Sequence, residues 1–216
     1  RITIGDPVDA RLTYMASKYG VSVTSDNLRA IGDVDLIVVA VKPQHLGDLM
    51  RGLVTHVKKS QVIISIVAGA SIETIQKGLQ HSDVIRVMPN TPAQIGEGMT
   101  VWTAPSEVSD GVCAIVRDIL GTLGKEIYVT DEKLLDAATA LSASGPAYVF
   151  LFIEALIDAG VYLGMQREVA RELVLQTVSG SVRLVEESGL HPGHLKDMVS
   201  SPGGGTVEAL KSFEKS

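Results

Sequence analysis

The sequence predicts an α/β chain in which a doubly wound, mostly parallel sheet is followed by an all-helical segment. Three observations carry this. Short β-branched runs alternate with amphipathic stretches through the first half, two of those runs (residues 36–41 and 62–67) are almost continuously apolar, and no run of strand character follows Val129. The composition change sets two domains, residues 1–129 and 130–216. With 216 residues, 45% of them hydrophobic, the chain can bury one large core or two small ones.

Each element has its own signal. A strand over 2–4 runs into Asp6-Pro7, a capping residue and a first-turn proline ahead of a helix over 8–19 that Gly20 closes. After a strand over 21–23, Asn27 opens a short helix, either as a simple cap or as a contact residue. The runs 36–41 and 62–67 read as strands covered on both faces and belong at the sheet's centre. Pro43 starts a helix over 44–59. Strands over 84–88, 100–103 and 127–129 accompany a helix over 106–123 that begins at Ser106-Glu107 and stops at Gly124. Helices then follow over 131–141, 146–163 and 167–187, with shorter ones near Leu195 and over 207–210. Residues 148–153 are apolar on every side of their helix, which must therefore be covered all round. A helical domain this small cannot supply that cover, so a homodimer through this half is expected.

Charge and composition narrow the partners. The net charge is −6 and the basic residues are scattered, which does not suit nucleic acid. No apolar run approaches the ~20 residues of a membrane helix, so no membrane span is expected. The chain opens Arg1-Ile2-Thr3-Ile4 with no charged-then-apolar leader, and its single cysteine, Cys113, allows no internal disulfide, which fits a reducing, cytoplasmic setting.

Several loops carry candidate chemistry. Val41-Lys42-Pro43-Gln44 puts a loop and a helix start at a strand's carboxyl end, where open α/β sheets bind ligands. Asp6 ends the first strand, either as a cap or as the acid that accepts hydrogen bonds from ribose hydroxyls. Met88-Pro89-Asn90-Thr91-Pro92 is a polar loop stiffened by two prolines. Ser142-Ala143-Ser144-Gly145-Pro146 reads as a helix start, either a plain cap by Ser144 or a set of free N–H groups for an anion. Ser200-Ser201-Pro202-Gly203-Gly204-Gly205-Thr206 is the most informative stretch, because three glycines before a helix leave a nest of uncovered N–H groups suited to a carboxylate. His191 and His194 lack a third ligand at metal-binding spacing and read as a solvated turn, so no metal is expected.

In order and separation these motifs, with Ala140 to Tyr148 around Ser142 and Ser144, resemble the pyrroline-5-carboxylate reductase family over essentially the whole chain. The resemblance implies a Rossmann-like dinucleotide-binding domain and a helical domain interlocked with a second subunit, with dimers joined into larger rings in several relatives. It implies hydride transfer from NADPH or NADH to the imine carbon of 1-pyrroline-5-carboxylate, giving L-proline in the last step of proline biosynthesis. Asp6, Asn27, Ala40, Val41, Lys42, Pro43, Ala68, Gly69 and Asn90 would then line the cofactor site. Ser201, Gly203, Gly204, Gly205 and Thr206 would hold the substrate, with Thr206 as the catalytic residue orienting the ring nitrogen. The resemblance also implies a first strand and glycine-rich phosphate loop ahead of Arg1 and a further helix after Ser216. Met198 and Gly189 stand where some relatives carry polar groups. Two other readings compete: another NAD(P)-dependent dehydrogenase of the same plan, and a non-catalytic dimerisation fragment. Asp6 disfavours the 2′-phosphate of NADP, although family members commonly use NADPH, which leaves the choice of cofactor open.

Overall fold

The computed structural model describes residues 1–214. Contacts divide the chain into two units, Arg1–Pro146 and Ala147–Ser216. The first holds β1 (Thr3–Gly5), α1 (Asp9–Tyr19), β2 (Ser22–Thr24), α2 (Asn27–Ile31), β3 (Leu36–Val39), α3 (Pro43–Leu53), β4 (Val62–Ser65), α4 (Ile72–Leu79), β5 (Val84–Met88), a 3-10 turn (Thr91–Ile95), β6 (Gly98–Thr103), α5 (Asp110–Gly121), β7 (Gly124–Tyr128), α6 (Lys133–Ala138) and a π turn (Thr139–Ala143). From there α7 (Gly145–Tyr162) leads into the second unit, with α8 (Arg167–Ser188), α9 (Pro192–Met198) and α10 (Gly205–Phe213).

The strands form two hydrogen-bonded groups, a parallel pair β1-β2 and a five-stranded sheet in the order β3-β4-β5-β6-β7. Within the larger sheet only the β5–β6 pairing is antiparallel, because the short 3-10 turn between them reverses the chain instead of crossing it over. Helices cover both faces. Leu46 and Leu53 of α3 and Ile72, Ile75 and Leu79 of α4 bury one face with Ile37, Val39 and Ile63. Val116 and Leu120 of α5 bury the other with Ile64, Ile85, Val87 and Trp102. The doubly wound, mostly parallel architecture expected from the sequence is present.

Details differ. The strand expected over 36–41 ends at Val39 and, among the described residues, pairs in parallel with β4. β4 and β5 are buried at every position. Helix α4 carries no proline or glycine boundary and starts instead on Ser71, whose Oγ accepts from the Thr74 N–H at 3.1 Å. Helix α5 is capped in the same way by Ser109, three residues past the expected start. β6 and β7 begin with Gly98 facing Gly124; a Cβ on Gly124 would lie 2.2 Å from the Gly98 carbonyl oxygen, and Gly124 sits at φ +131, so only glycine lets the two strands meet there.

The break between units falls later than the composition change at Thr130, and one buried cation explains why. Arg86, on the middle strand β5, is 3% exposed and holds two carboxylates of the α6 region: Glu132 at 2.9 Å and Asp136 at 2.7 Å. Glu132 also accepts from the Ile72 N–H at the start of α4, at 2.8 Å. Leu135 of α6 packs fully buried against Met88 and Val101. These bonds make α6 part of the sheet domain although its composition is that of the helices after it.

A polar pin holds the α2 segment against the sheet. Gln61 is buried; its Nε2 donates to the carbonyls of Ile31 (2.7 Å) and Val34 (2.9 Å), its Oε1 accepts from the Lys58 N–H, and its own carbonyl accepts from His81 Nε2.

In the second unit Arg167 pairs with Asp158 at 2.8 Å, and a Cβ on Gly160 would meet that of Ala170 at 2.8 Å, so the glycine permits α7 and α8 to approach closely. The rings of Phe152 and Phe213 meet at a tilt of 54°, with centroids 6.2 Å apart. Yet Tyr148, Val149, Phe150 and Leu151 stand exposed, Leu151 by 67%. The helical run Lys133–Tyr162 is long and apolar enough to cross a membrane by length and composition. This corrects the expectation of no such segment, which counted unbroken apolar runs and so passed over a helix interrupted by Ser142, Ser144 and Glu154.

Replacing Arg86 with Met should destabilise the protein by about 1–3 kcal/mol in chemical denaturation, less than a fully buried pair would cost because Glu132 and Asp136 keep solvent contact (31% and 68% exposed). Thermal and denaturant midpoints read against the parent check this.

Candidate active site

The parallel sheet aims one edge at its ligand. Ala40 and Val41 follow β3, and Lys42 occupies the cap position of α3 in extended conformation with Pro43 as the first helical residue. Proline lacks the N–H that a first-turn residue would leave unpaired, so it suits this start. Ala68 and Gly69 follow β4, which pairs with β3 in parallel, and Gly69 turns the chain at φ +73. Ala40, Lys42, Pro43, Ala68 and Gly69 are exposed, and a Cβ at Gly69 would meet nothing within 4 Å. Small exposed residues on neighbouring strand ends leave an open shelf at the carboxyl edge, the place where doubly wound sheets receive dinucleotides. The residues present fit such a cofactor.

At the corresponding edge of the two-stranded group, Asp6 follows β1 and Asn27 opens α2. Asp6 Oδ1 accepts from the Val8 N–H at 2.8 Å and Oδ2 faces Arg11 at 3.5 Å. The cap of α2 is Asp26, whose carboxylate accepts from the Leu28 N–H at 2.9 Å. Asn27 is therefore not the cap, and its amide has no hydrogen-bond partner among the described residues. A Cβ on Gly5 would lie 2.8 Å from Asn27 Oδ1, so the end of β1 runs directly against that amide.

Asn90, expected among the cofactor residues, already has protein partners. Its Oδ1 accepts from the Met99 N–H at 2.9 Å, and its Nδ2 reaches the Ser142 carbonyl at 3.3 Å and Ser142 Oγ at 3.4 Å. Pro146 explains the second contact: it has no N–H to donate back to residue 142, and the Asn90 amide fills the gap. The expected helix start at Ser144 is absent. Ser144 has helical dihedrals, its N–H donates to the Thr139 carbonyl at 2.9 Å, and the helical path runs through a π turn into α7, so no row of free N–H groups opens there.

In the second unit the glycine stretch forms a compact turn. The Gly204 N–H donates to the Ser201 carbonyl at 3.0 Å, Gly203 sits at φ +70, and Gly204 takes the cap position of α10 without a side-chain cap. A Cβ on Gly204 would lie 2.5 Å from Ser201 Oγ. Gly205 and Thr206 are the first two helical residues, both exposed, and their N–H groups lie ahead of the intrahelical ladder. Such a start, uncapped and glycine-lined, suits a carboxylate. His191 is bound up in structure, its Nδ1 accepting from the Gly193 N–H as the cap of α9. Burial first, and then the Asp110 carboxylate, push the Cys113 thiol above its ordinary range, which makes it a poor nucleophile. The Arg86 network escaped sequence reasoning, although a lone arginine inside the apolar run Val84–Met88 was its visible sign.

A dinucleotide-binding sheet with an open carboxyl edge, continued by a helical domain with an unburied apolar helix, defines a class: two-domain NAD(P)-dependent oxidoreductases. Comparison with known proteins agrees. Residues 1–69 match the family model "NADP oxidoreductase coenzyme F420-dependent", and residues 132–216 match "Pyrroline-5-carboxylate reductase dimerisation". The second match begins near the composition change, so the lineage boundary precedes the contact boundary at Pro146. The chain is 42% identical to the pyrroline-5-carboxylate reductase of Synechocystis sp. over 99% of its own length and 79% of the relative's. Among solved structures, the Streptococcus pyogenes reductase superposes with a TM-score of 0.90 at 34% identity (99% of this chain, 81% of that one). The Plasmodium falciparum enzyme, with NADP bound, gives 0.86 at 39% identity (92% and 75%). This chain belongs to the pyrroline-5-carboxylate reductase family.

Substituting Asn90 with Ala should strand the Met99 N–H and the Ser142 carbonyl and cost about 1–3 kcal/mol, with faster hydrogen exchange at Met99 and through 139–143. Asn90→Asp keeps the acceptor for Met99 and loses the donor to Ser142, so its faster exchange should be confined to the π turn.

Proposed function

We propose that this chain reduces 1-pyrroline-5-carboxylate to L-proline, with NADH or NADPH as hydride donor, as a homodimer assembled through its helical domain. The observation that carries this reading is the glycine nest that opens α10, held on a chain whose whole length aligns with reductases of that name. The bound cofactor supplies the hydride for the imine carbon. The Ala40-to-Pro43 and Ala68-Gly69 turns, with Asp6 and Asn27, hold the dinucleotide at the carboxyl edge. Asn90 serves that site by fixing the loop and π turn around it.

Ser201, Gly203, Gly204, Gly205 and Thr206 receive the substrate carboxylate. The Thr206 hydroxyl, exposed on the first turn of α10, hydrogen-bonds the ring nitrogen and fixes which face of the imine is presented. A protonated imine is electrophilic already, so positioning does most of the chemical work and no strong base is needed. The exposed apolar side of α7 supports the homodimer, since a second copy would cover Tyr148, Phe150 and Leu151. A cytoplasmic setting, part of the same proposal, is consistent with a chain whose single cysteine has no partner for an internal disulfide.

The test is proline formation from pyrroline-5-carboxylate, followed as loss of reduced-cofactor absorbance. Thr206→Val should lower kcat/KM by about tenfold to a hundredfold with cofactor affinity unchanged, the range expected when one positioned polar group is lost. A folded dimer that turns over neither cofactor with this substrate would refute the proposal.

A further inference from the structure

The geometry points to Asp6 as the residue that makes this enzyme select NADH over NADPH, an inference that rests on the reductase reading above. β1 and β2 run parallel with Thr3 opposite Ser22 and Gly5 opposite Thr24, so the chain leaves β1 at the carboxyl edge with Asp6 as its next residue. In doubly wound sheets an acid at this position accepts hydrogen bonds from the adenosine ribose, and a phosphate on the 2′ oxygen would have to lie against it.

The carboxylate is held in place. The Asp6 N–H donates to the Thr24 carbonyl at 3.2 Å, Oδ1 takes the Val8 N–H at 2.8 Å, and the side chain is only 24% exposed. It cannot swing aside without giving up the bond that opens α1. A second carboxylate stands at the end of the neighbouring strand, where the Asp26 N–H donates to Thr24 Oγ1 at 3.1 Å. The close pass of Gly5 keeps Asn27 Oδ1, another acceptor oxygen, beside the same strand end.

The cation in contact is Arg11, 3.5 Å from Asp6 Oδ2. A 2′-phosphate could recruit its guanidinium only by breaking that pair and lying beside the carboxylate it left. A 2′-hydroxyl is a donor and finds an acceptor in Asp6, whereas a phosphate dianion meets like charge.

The experiment uses the full-length enzyme and its Asp6→Ser and Arg11→Ala variants. Dissociation constants for NADH and NADPH are measured by fluorescence titration without substrate, and kcat/KM is measured for each donor with pyrroline-5-carboxylate. The parent should favour NADH by about tenfold or more in both readouts, as like-charge contact implies. Asp6→Ser should bring the ratio near unity, chiefly by gaining NADPH affinity, and Arg11→Ala should leave the NADH preference in place. A parent that binds NADPH as tightly as NADH overturns the assignment, as does an Asp6→Ser ratio unchanged from the parent or a loss of preference in Arg11→Ala. Turnover with neither donor, alongside the expected difference in binding, would count against the reductase reading and still support the role of Asp6.

Discussion

A guanidinium buried on the middle strand of a sheet is tolerated only if its charge is answered, and Arg86 is answered by Glu132 at the cap of α6 and Asp136 within it. Much of the sheet domain follows from that requirement. Glu132 meets it while also taking the first N–H of α4, so one carboxylate ties β5, α4 and α6 together. With α6 anchored, Leu135 closes a small core over Met88 and Val101, and the π turn that follows is delivered to Asn90.

The candidate cofactor edge depends on that scaffold in a simple way. Parallel strands end on the same side, so turns far apart in sequence arrive on one edge without any specific attraction among them. Ala40, Ala68 and Asn90 share this edge because they follow consecutive strands of the larger sheet. The glycine nest that opens α10, the candidate carboxylate site, rests on different physics, offering unpaired N–H groups in place of side chains. Neither place needs a strongly perturbed acid or base, in keeping with chemistry in which hydride transfer to an activated imine requires alignment above all.

The legible parts of the sequence were those with local causes. Gly20 closes α1 in the left-handed conformation, and Pro43 begins α3, both as residue type alone suggests. The illegible parts had distant causes. α6 reads as part of the helices that follow it, but Arg86 of β5 binds Glu132 and Asp136 and joins it to the sheet. Ser144 looks like a cap, but its N–H closes a π turn on the Thr139 carbonyl, and the Asn90 amide, from another segment, takes the Ser142 carbonyl within that turn. Among the candidate site residues, the nest was visible as three glycines before a capping position, whereas the double use of Asn90 was not, since it depends on a proline fifty-six positions away.

By itself the sequence determined the fold class, the position of the turns that reach the carboxyl edge and the family to which the chain belongs, because each rests on periodicity, on backbone restrictions of proline and glycine, or on short ordered motifs. Tertiary structure alone decided that α6 joins the sheet domain, that Asp26 and not Asn27 caps α2, and that Asp6 is held between an N–H and a guanidinium. Those outcomes depend on which groups satisfy buried charges and unpaired N–H donors, and that pairing is settled by distance in space, which residue order does not record.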